Sequence, residues 1–248
     1  MASLKPEIIF GNEGLGLTNT VLATLVTDLI LVLLVFLIAK NIKKVPGTLQ
    51  SIVELGLEYF YNLTEQISGK NTQRIFPWFA SFFIFIFFSN LIGLLPGFGT
   101  IGFFQVEPET GKKALIPLFR AATSDFNVTL ALATVSIIAT HAIAIQVVGI
   151  KTYLSRYFSF HPIYLFVGLL EIVSEASKLF SLSFRLFGNI YAGEIVLATI
   201  SGLFAFVAPI PFILLEIIVA LVQALVFAML TMVFMSILAT PHGEGGEH

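Results

Sequence analysis

The sequence predicts an all-α polytopic membrane protein with about five membrane-inserted helices and one amphipathic helix on the cytoplasmic surface. Of its 248 residues, 57% are hydrophobic and 11% are charged, whereas soluble domains carry about 25% charged residues. The mean hydropathy is +0.96. Apolar runs that can cross a hydrocarbon core of about 30 Å recur along the chain. We expect a single membrane domain over residues 1–248, embedded in a lipid bilayer.

Composition removes several other classes of protein. A transmembrane β-barrel would show short segments of alternating hydrophobicity instead of long apolar runs. The chain has no cysteine, which excludes disulfides and thiolate metal sites, and we predict neither a metal ion nor a cofactor. The net charge of -2 gives no reason to expect nucleic-acid binding. No basic region precedes the first apolar run, so we expect that run to be retained rather than cleaved as a signal peptide.

The first part of the chain predicts one helix across the membrane and one along its surface. The first span covers residues 18–39, and three lysines follow it closely: Lys40, Lys43 and Lys44. Because positive residues collect on the cytoplasmic side of a membrane, we expect the N-terminus to lie outside. Residues 47–70 have apolar side chains at helical spacing together with three glutamates. This pattern predicts an amphipathic helix on the cytoplasmic surface.

Four further apolar segments complete the predicted topology: residues 75–97, 125–150, 162–205 and 207–240. A continuous helix over the third of them would be roughly 66 Å long, about twice the thickness of the hydrocarbon core. Ordinary tilts of about 20° do not absorb that excess. Two short spans would need a polar turn near the middle of the segment, where the sequence is poorly suited to one. We therefore favour a long, steeply inclined hairpin of the last two segments, which places the C-terminus in the cytoplasm.

A permanently charged residue, Arg185, lies in the most apolar third of the chain, within SFRLFGNIYAGE. An arginine cannot lose its proton in a protein and costs about 2.5 to 3.5 kcal/mol at the bilayer centre. On a helix, the face that carries Arg185 is polar over several turns: Glu171, Ser174, Lys178, Ser181, Arg185 and Asn189. A tightly packed helix interface, or an ion pair between Arg185 and a carboxylate of the last helix, would be structural alternatives to a functional role.

The predicted hairpin brings specific polar residues together. Glu216 and Gln223 are seven residues apart and so share one face of the last helix. A turn centred near residues 204–205 places Gln223 beside Arg185 and Glu216 beside Glu194. Two adjacent carboxylates tend to share a proton. With Glu171 towards the cytoplasm and Glu194 and Glu216 towards the outside, Arg185 stands between two proton-access routes.

Five segments then identify a family resemblance: VPGTLQSIVE, FFSNLIGLLPG, SDFNVTLALA, SLSFRLFGNIYAGE and LVQALVFAMLTMVF. Together, and in this order, they resemble subunit a of the F-type ATP synthase. The resemblance implies an ion-translocating stator subunit that offers two offset proton half-channels to a rotating ring of c subunits. It also implies partnership with the peripheral-stalk b subunits and the rest of the complex, and no catalysis by this chain alone.

The resemblance implies roles for individual residues. Arg185 would be the essential arginine that faces the ring carboxylate and prevents leak, with Asn189 and Gln223 as its polar neighbours. Glu194 would lie in the uptake half-channel, and the release side would include Glu171 and Ser181. Some members of the family carry His where Glu216 stands, so the division of a proton between the two acids is open here.

Several alternatives stay open at this point. Asp125 and Asn127 begin the third predicted span, either as helix caps or at the mouth of the uptake half-channel. His141 is a buried, hydrogen-bonded neutral residue or a proton relay. A stand-alone secondary transporter or channel is the alternative function, although the inverted repeats and discontinuous helices of transporters are not evident. We expect a bacterial plasma (inner) membrane location, with the thylakoid membrane as the alternative.

Overall fold

The computed structural model describes residues 8–10, 17–40, 42–44, 46–95, 102–106, 113–117, 120–157, 162–203 and 209–240. The helices of this part of the chain are α1 (Asn19–Lys40), α2 (Thr48–Ser68), α3 (Thr72–Gly93), α4 (Phe126–Val148), α5 (Ile150–Tyr157), α6 (Pro162–Leu203) and α7 (Pro209–Leu238). Short 3-10 turns lie at Gly69–Asn71 and Ala122–Ser124. The predicted all-α polytopic membrane fold is confirmed.

Four helical runs among the described residues are long and apolar enough to cross a membrane: Asn19–Lys40, Gln50–Gly93, Phe126–Val148 and Pro209–Leu238. The second run includes both α2 and α3. Helix α6 is not one of the four, and it carries five charged residues: Glu171, Glu175, Lys178, Arg185 and Glu194. The surface position of α2 and the inclination of α6 relative to a membrane stay predictions.

Two small antiparallel hairpins accompany the helices. Strand β1 (Ile8–Phe10) pairs with β2 (Leu17–Thr18), and β3 (Gly102–Val106) pairs with β4 (Lys113–Pro117). The second hairpin falls between the second and third predicted spans, where the predicted topology has no regular element. Helix α5 is also an addition to the predicted topology. It begins after Gly149, whose φ of 86° is a conformation that side-chain-bearing residues rarely adopt.

Helix α6 extends over 42 residues without a break, so no turn divides it into two short spans. Pro162 occupies its first position, where the missing backbone N–H costs nothing because that group has no helical partner. At about 1.5 Å per residue, α6 is roughly 63 Å long. Only a steep inclination keeps a helix of this length within a bilayer.

The described residues form two compact units. Unit one takes its residues from Met1–Asn41, Ile84–Thr129 and Phe184–Ala224, and unit two takes its residues from Ile42–Phe83, Leu130–Ser183 and Leu225–His248. Helices α3, α4, α6 and α7 contribute residues to both. The predicted single membrane domain stays a prediction.

Unit one buries small and polar faces and exposes large aliphatic side chains. The buried residues of α1 are Asn19, Thr20, Ala23 and Thr27, and from Thr20 onwards they recur every three or four positions. In contrast, Leu29 and Val32 of the same helix are 69% and 67% exposed. This is the inverse of a soluble helix and is typical of packing in lipid, where small residues allow close approach of helices and large apolar ones face the acyl chains.

Unit two has a core rich in aromatic and methionine side chains. Phe82 of α3 and Phe227 of α7 pack with ring centroids 5.6 Å apart, and Met232 and Met235 of α7 are fully buried. Polar contacts tie the same helices together, because the hydroxyls of Ser136 and Thr231 lie 2.8 Å apart. Interhelical hydroxyl contacts of this kind contribute roughly 1 kcal/mol in membranes.

Candidate functional site

Unit one contains a partly buried ion pair that joins the loop before α4 to helix α6. The Nε and Nη2 groups of Arg120 donate hydrogen bonds of 3.1 and 3.0 Å to the same carboxylate oxygen of Glu194. The Arg120 side chain is 10% exposed and that of Glu194 is 25% exposed. The guanidinium also lies 5.9 Å from the ring centroid of Tyr191. Glu194 therefore faces a fixed positive charge on one side.

Glu216 is the second acid of this site and its surroundings differ. It is 9% exposed, and its Oε1 atom has no hydrogen-bond partner within the described part of the chain. Its carboxylate lies directly against Gly193 of α6, at a position that any β-carbon would fill. The negative charge of Glu194 acts on it. The structure thus brings Glu194 and Glu216 together, as a hairpin turn near residues 204–205 predicts.

Asn189 and Gln223 form the next contact of the α6–α7 pair within unit one. Asn189 donates a 2.6 Å hydrogen bond from Nδ2 to Oε1 of Gln223. Gln223 is buried, whereas Asn189 and Arg185 are exposed on α6, one turn apart. Because Asn189 contacts Gln223 and Gly193 contacts Glu216, the residue numbers of the two helices change in opposite directions. The two helices are therefore antiparallel here.

Asp125 caps α4, which is one of its two predicted roles. Its Oδ1 atom accepts hydrogen bonds of 2.9 and 3.1 Å from the backbone N–H and the side-chain amide of Asn127. The first of these bonds satisfies a backbone donor of the first helical turn. Its Oδ2 atom accepts a 2.9 Å hydrogen bond from Thr20 of α1. The predicted position of Asp125 and Asn127 at a channel mouth stays a prediction.

Buried polar atoms without a protein partner are concentrated in unit one. Across the described residues there are six such atoms, and five of them lie in unit one: Asn19 Oδ1, Ser89 Oγ, Asn90 Nδ2, Glu216 Oε1 and Gln223 Nε2. A buried polar atom without a partner costs roughly 1 to 3 kcal/mol. Ordered water commonly satisfies such atoms. Unit one therefore concentrates polar atoms whose hydrogen-bond partners do not lie among the described residues.

Unit two holds a second group of polar side chains around α6. Lys178 and Glu175 form an ion pair of 2.7 Å, and the other Glu175 oxygen lies 4.0 Å from Nε2 of His141. The Nδ1 atom of His141 is 2.8 Å from the hydroxyl of Tyr153. The hydrogen-bonded surroundings predicted for His141 are thus present. Of the predicted release-side residues, Glu171 is half-buried and Ser181 is exposed.

Tyr157 ends α5 beside this group, outside the apolar helices that can cross a membrane. Burial raises the pKa of its hydroxyl, and the hydrogen bond with Tyr153 adds to the effect. The nearby charges of Glu171 and Glu175 raise it further. Tyr157 therefore stays protonated, and so uncharged, at physiological pH.

The described residues contain no group of three or more His, Cys, Asp or Glu side chains arranged to bind a metal ion. The polar groups of unit one are instead acids, amides and two arginines, which lie on α6, on α7 and in the segment before α4. Groups of these types hold and pass protons through bound water, and they also hold a fixed positive charge. Among known proteins, the sequence profile described as ATP synthase A chain matches residues 21–236.

The chain belongs to the ATP synthase subunit a family. It is 30% identical over 236 residues to ATP synthase subunit a of Moorella thermoacetica, covering 95% of this chain and 97% of that one. It is 34% identical over 208 residues to ATP synthase subunit a 3 of Pelobacter propionicus, covering 83% and 80% of the two chains. A third relative, ATP synthase subunit a 1 of Syntrophotalea carbinolica, is 34% identical over 203 residues, with coverages of 81% and 76%. The resemblance inferred from the five segments is confirmed.

Within this subunit a, sequence reasoning missed Arg120 and the group around Glu175. Arg120 lies between apolar residues in the segment LFRAATSD. The argument that singled out Arg185, a fixed charge among apolar neighbours, applies to Arg120 as well and was the available signal. Its partner, however, lies 74 positions away on α6, and no local pattern connects the two.

Proposed function

We propose that this chain is the ion-translocating stator of an F-type ATP synthase, with two offset proton half-channels that open on opposite sides of the membrane. It belongs to the subunit a family and is a multi-pass membrane protein of the ATP synthase membrane sector. In the proposed mechanism, a proton enters one half-channel, neutralises a carboxylate on a rotating ring of c subunits, and leaves through the other after rotation. The chain alone catalyses no reaction.

The observation that carries this proposal is the concentration of unsatisfied buried polar atoms in unit one. Asn19, Asn90 and Glu216 each expose a polar atom to the protein interior without a protein partner among the described residues. Within a membrane, such groups face water-filled cavities and ion pathways rather than lipid. Unit one is accordingly the proposed uptake half-channel, with Glu194 and Glu216 as its acids and with Asp125 and Asn127 at its mouth.

The proposed role of Arg185 follows from its chemistry and exposure. Its guanidinium keeps its charge at all physiological pH values, and its side chain is exposed on α6. A fixed cation attracts a ring carboxylate that has lost its proton and repels a proton that would pass directly between the two routes. Asn189 and Gln223 are proposed to orient the arginine without neutralising it, because amides carry no charge.

The proposed release half-channel uses the polar face of α6 in unit two. Glu171 is half-buried and Ser181 is exposed, so both are available to water. An acid and a hydroxyl on one helix face, a few turns apart, can pass a proton through bridging water molecules.

The proposed assembly places this chain against the c-ring and the b subunits of the peripheral stalk. The proposed location is the bacterial plasma membrane, with the N-terminus outside and the C-terminus in the cytoplasm. The lysines after α1 support this orientation, because positive residues collect on the cytoplasmic side. A thylakoid membrane is the alternative location.

The test uses the assembled complex in vesicles and measures ATP-driven proton pumping. We expect Arg185→Ala to abolish coupled pumping while subunit a remains assembled with the ring. Arg74→Ala is the matched control, because Arg74 is an exposed arginine of α3 outside the proposed route. Coupled pumping at the normal rate in Arg185→Ala would remove the proposed function.

A further inference from the structure

We propose that Gly93 and Asn90, on the last turn of α3, seat the segment that carries Arg120 and thereby position the Arg120 guanidinium against Glu194. We name residues 120–125 the pre-α4 segment. The inference rests on the proposed function, in which Glu194 is an acid of the uptake half-channel. Gly93 and Asn90 are positioning residues in this scheme, because they act through Arg120.

The first observation is a very close approach of α3 to the pre-α4 segment within unit one. A β-carbon at Gly93 would overlap the Cβ atom of Ala121 and would lie 2.9 Å from its Cα atom, both closer than real β-carbon contacts allow. Ala121 is itself buried. Part of the obstacle is backbone, so no rotation of a side chain relieves it. Gly93 therefore sets how closely the segment can lie against α3.

The second observation is a hydrogen bond beside this contact. The hydroxyl of Thr123 donates to Oδ1 of Asn90, and both side chains are buried. Asn90 precedes Gly93 by three positions, so the two residues lie on the same face of α3. One face of the last turn of α3 thus holds the pre-α4 segment by shape and by a polar contact.

The third observation is that the pre-α4 segment is internally ordered and is held at its far end as well. Its Ala122–Ser124 portion is a 3-10 turn, and the backbone N–H and hydroxyl of Ser124 donate to the Ala121 carbonyl at 3.0 and 2.8 Å. Asp125 accepts a 2.9 Å hydrogen bond from Thr20 of α1. A displacement at Ala121 is therefore carried to its neighbours rather than absorbed within the segment.

The guanidinium depends on this placement because Arg120 directly precedes Ala121 in the chain. Its two hydrogen bonds to Glu194 measure 3.1 and 3.0 Å, near the upper end of the roughly 2.7 to 3.2 Å over which N–H···O bonds form. Only 10% of the Arg120 side chain is exposed, so surrounding groups restrict its movement. A backbone shift of about 1 Å would lengthen both bonds beyond that range.

The experiment measures ATP-driven proton pumping by the assembled complex in vesicles, with the amount of subunit a per ring as the measure of assembly. Gly93→Ala should lower the rate by roughly tenfold or more, because misplacement of a positioned group by about 1 Å can cost up to a hundredfold. Gly56→Ala is the matched control, since a β-carbon at this α2 position meets no atom within 4 Å. Normal pumping in Gly93→Ala would overturn the inference.

A second pair of variants decides where Gly93→Ala does not assemble. Thr123→Val keeps the shape of the side chain but removes the donor to Asn90, and it should lower pumping by roughly fivefold or more, because a buried acceptor loses this bond. Thr123→Ser keeps the hydroxyl and should stay within about twofold of the unmodified chain. Equal pumping by Thr123→Val and Thr123→Ser would overturn the inference.

A double-mutant cycle separates positioning of Arg120 from a purely structural role of Gly93. Arg120→Gln alone should lower pumping, because it removes the guanidinium that faces Glu194. If Gly93 acts through Arg120, Gly93→Ala should add little to the loss that Arg120→Gln already causes. Two losses that multiply, as independent effects do, would overturn the inference, and so would normal pumping in Arg120→Gln.

Arg185→Ala in the same series distinguishes this inference from the proposed function. Loss of pumping in Arg185→Ala together with normal pumping in Gly93→Ala and Thr123→Val overturns only the positioning role of α3. Normal pumping in Arg185→Ala overturns the proposed function and this inference with it.

Discussion

Substitution of Gly193 by alanine should displace Glu216 from its place against α6. A β-carbon at this position would overlap Oε1, Cδ and Oε2 of the Glu216 carboxylate, all closer than real β-carbon contacts allow. The obstacle is the end of a flexible side chain, so it is relieved by rotation of Glu216 rather than by separation of the helices. Overpacking of this kind costs about 1 to 3 kcal/mol, which disfavours the native position of Glu216 by roughly 5- to 150-fold at about 1.4 kcal/mol per factor of ten.

Gly188→Ala is the matched control for this prediction. Gly188 lies on the same helix, and a β-carbon there meets no atom within 4 Å. Both substitutions gain about 1 kcal/mol of helix propensity, but only the β-carbon of Gly193→Ala meets Glu216. ATP-driven proton pumping should fall in Gly193→Ala and stay unchanged in Gly188→Ala, with normal assembly in both. Equal pumping by the two variants would refute the reasoning that links Gly193 to the position of Glu216.

Three further predictions concern other parts of the molecule. Asp125→Ala removes the cap of α4 and the hydrogen-bond partner of Thr20, so the free energy of unfolding in detergent should fall by about 0.5 to 2 kcal/mol. Asp125→Asn keeps an accepting oxygen, and an equally large loss in that variant would argue against capping. The Phe227 side chain is 1% exposed, and its removal in Phe227→Ala should lower the free energy of unfolding by about 3 to 5 kcal/mol. The Phe166 side chain is 61% exposed, so Phe166→Ala should lower it far less. Similar losses in the two variants would contradict the described core of unit two. Burial raises the pKa of Tyr157 in the folded protein above its value in the unfolded chain. The contribution of Tyr157 to folding stability is therefore complete below about pH 10 and is lost as the pH rises further. The thermal stability of Tyr157→Phe should therefore depend less on pH above about pH 10 than that of the unmodified chain. An unchanged pH dependence would show that Tyr157 does not cause the loss of stability at high pH.

Much of the fold could be predicted because the apolar segments are long and their breaks are clear. The continuous α6 follows from a segment in which no polar turn interrupts the helical pattern. The proximity of Glu194 and Glu216 follows from the antiparallel geometry of a hairpin, which needs only the position of its turn. These features depend on local sequence and on simple helix geometry, so they are accessible without coordinates.

The features that escaped prediction depend on contacts between distant segments. Arg120 reaches Glu194 across 74 positions, and Glu175 lies near His141 from a different helix. The β3–β4 hairpin forms within a segment that lacks the strong alternation expected of a strand. In each case the sequence supplies the chemical group, but only the packing of the helices and loops decides which other group it meets.

The central claim is that Arg185 is the barrier between two water-accessible routes, and passive proton leak tests it most directly. The chain contains no cysteine, so one engineered cysteine in it can be cross-linked to one in the ring, which stops rotation. Vesicles that carry the locked complex are then given a proton gradient. The account predicts that the locked complex with Arg185 is tight to protons and that the locked Arg185→Ala complex leaks. An equally tight Arg185→Ala complex would contradict the claim.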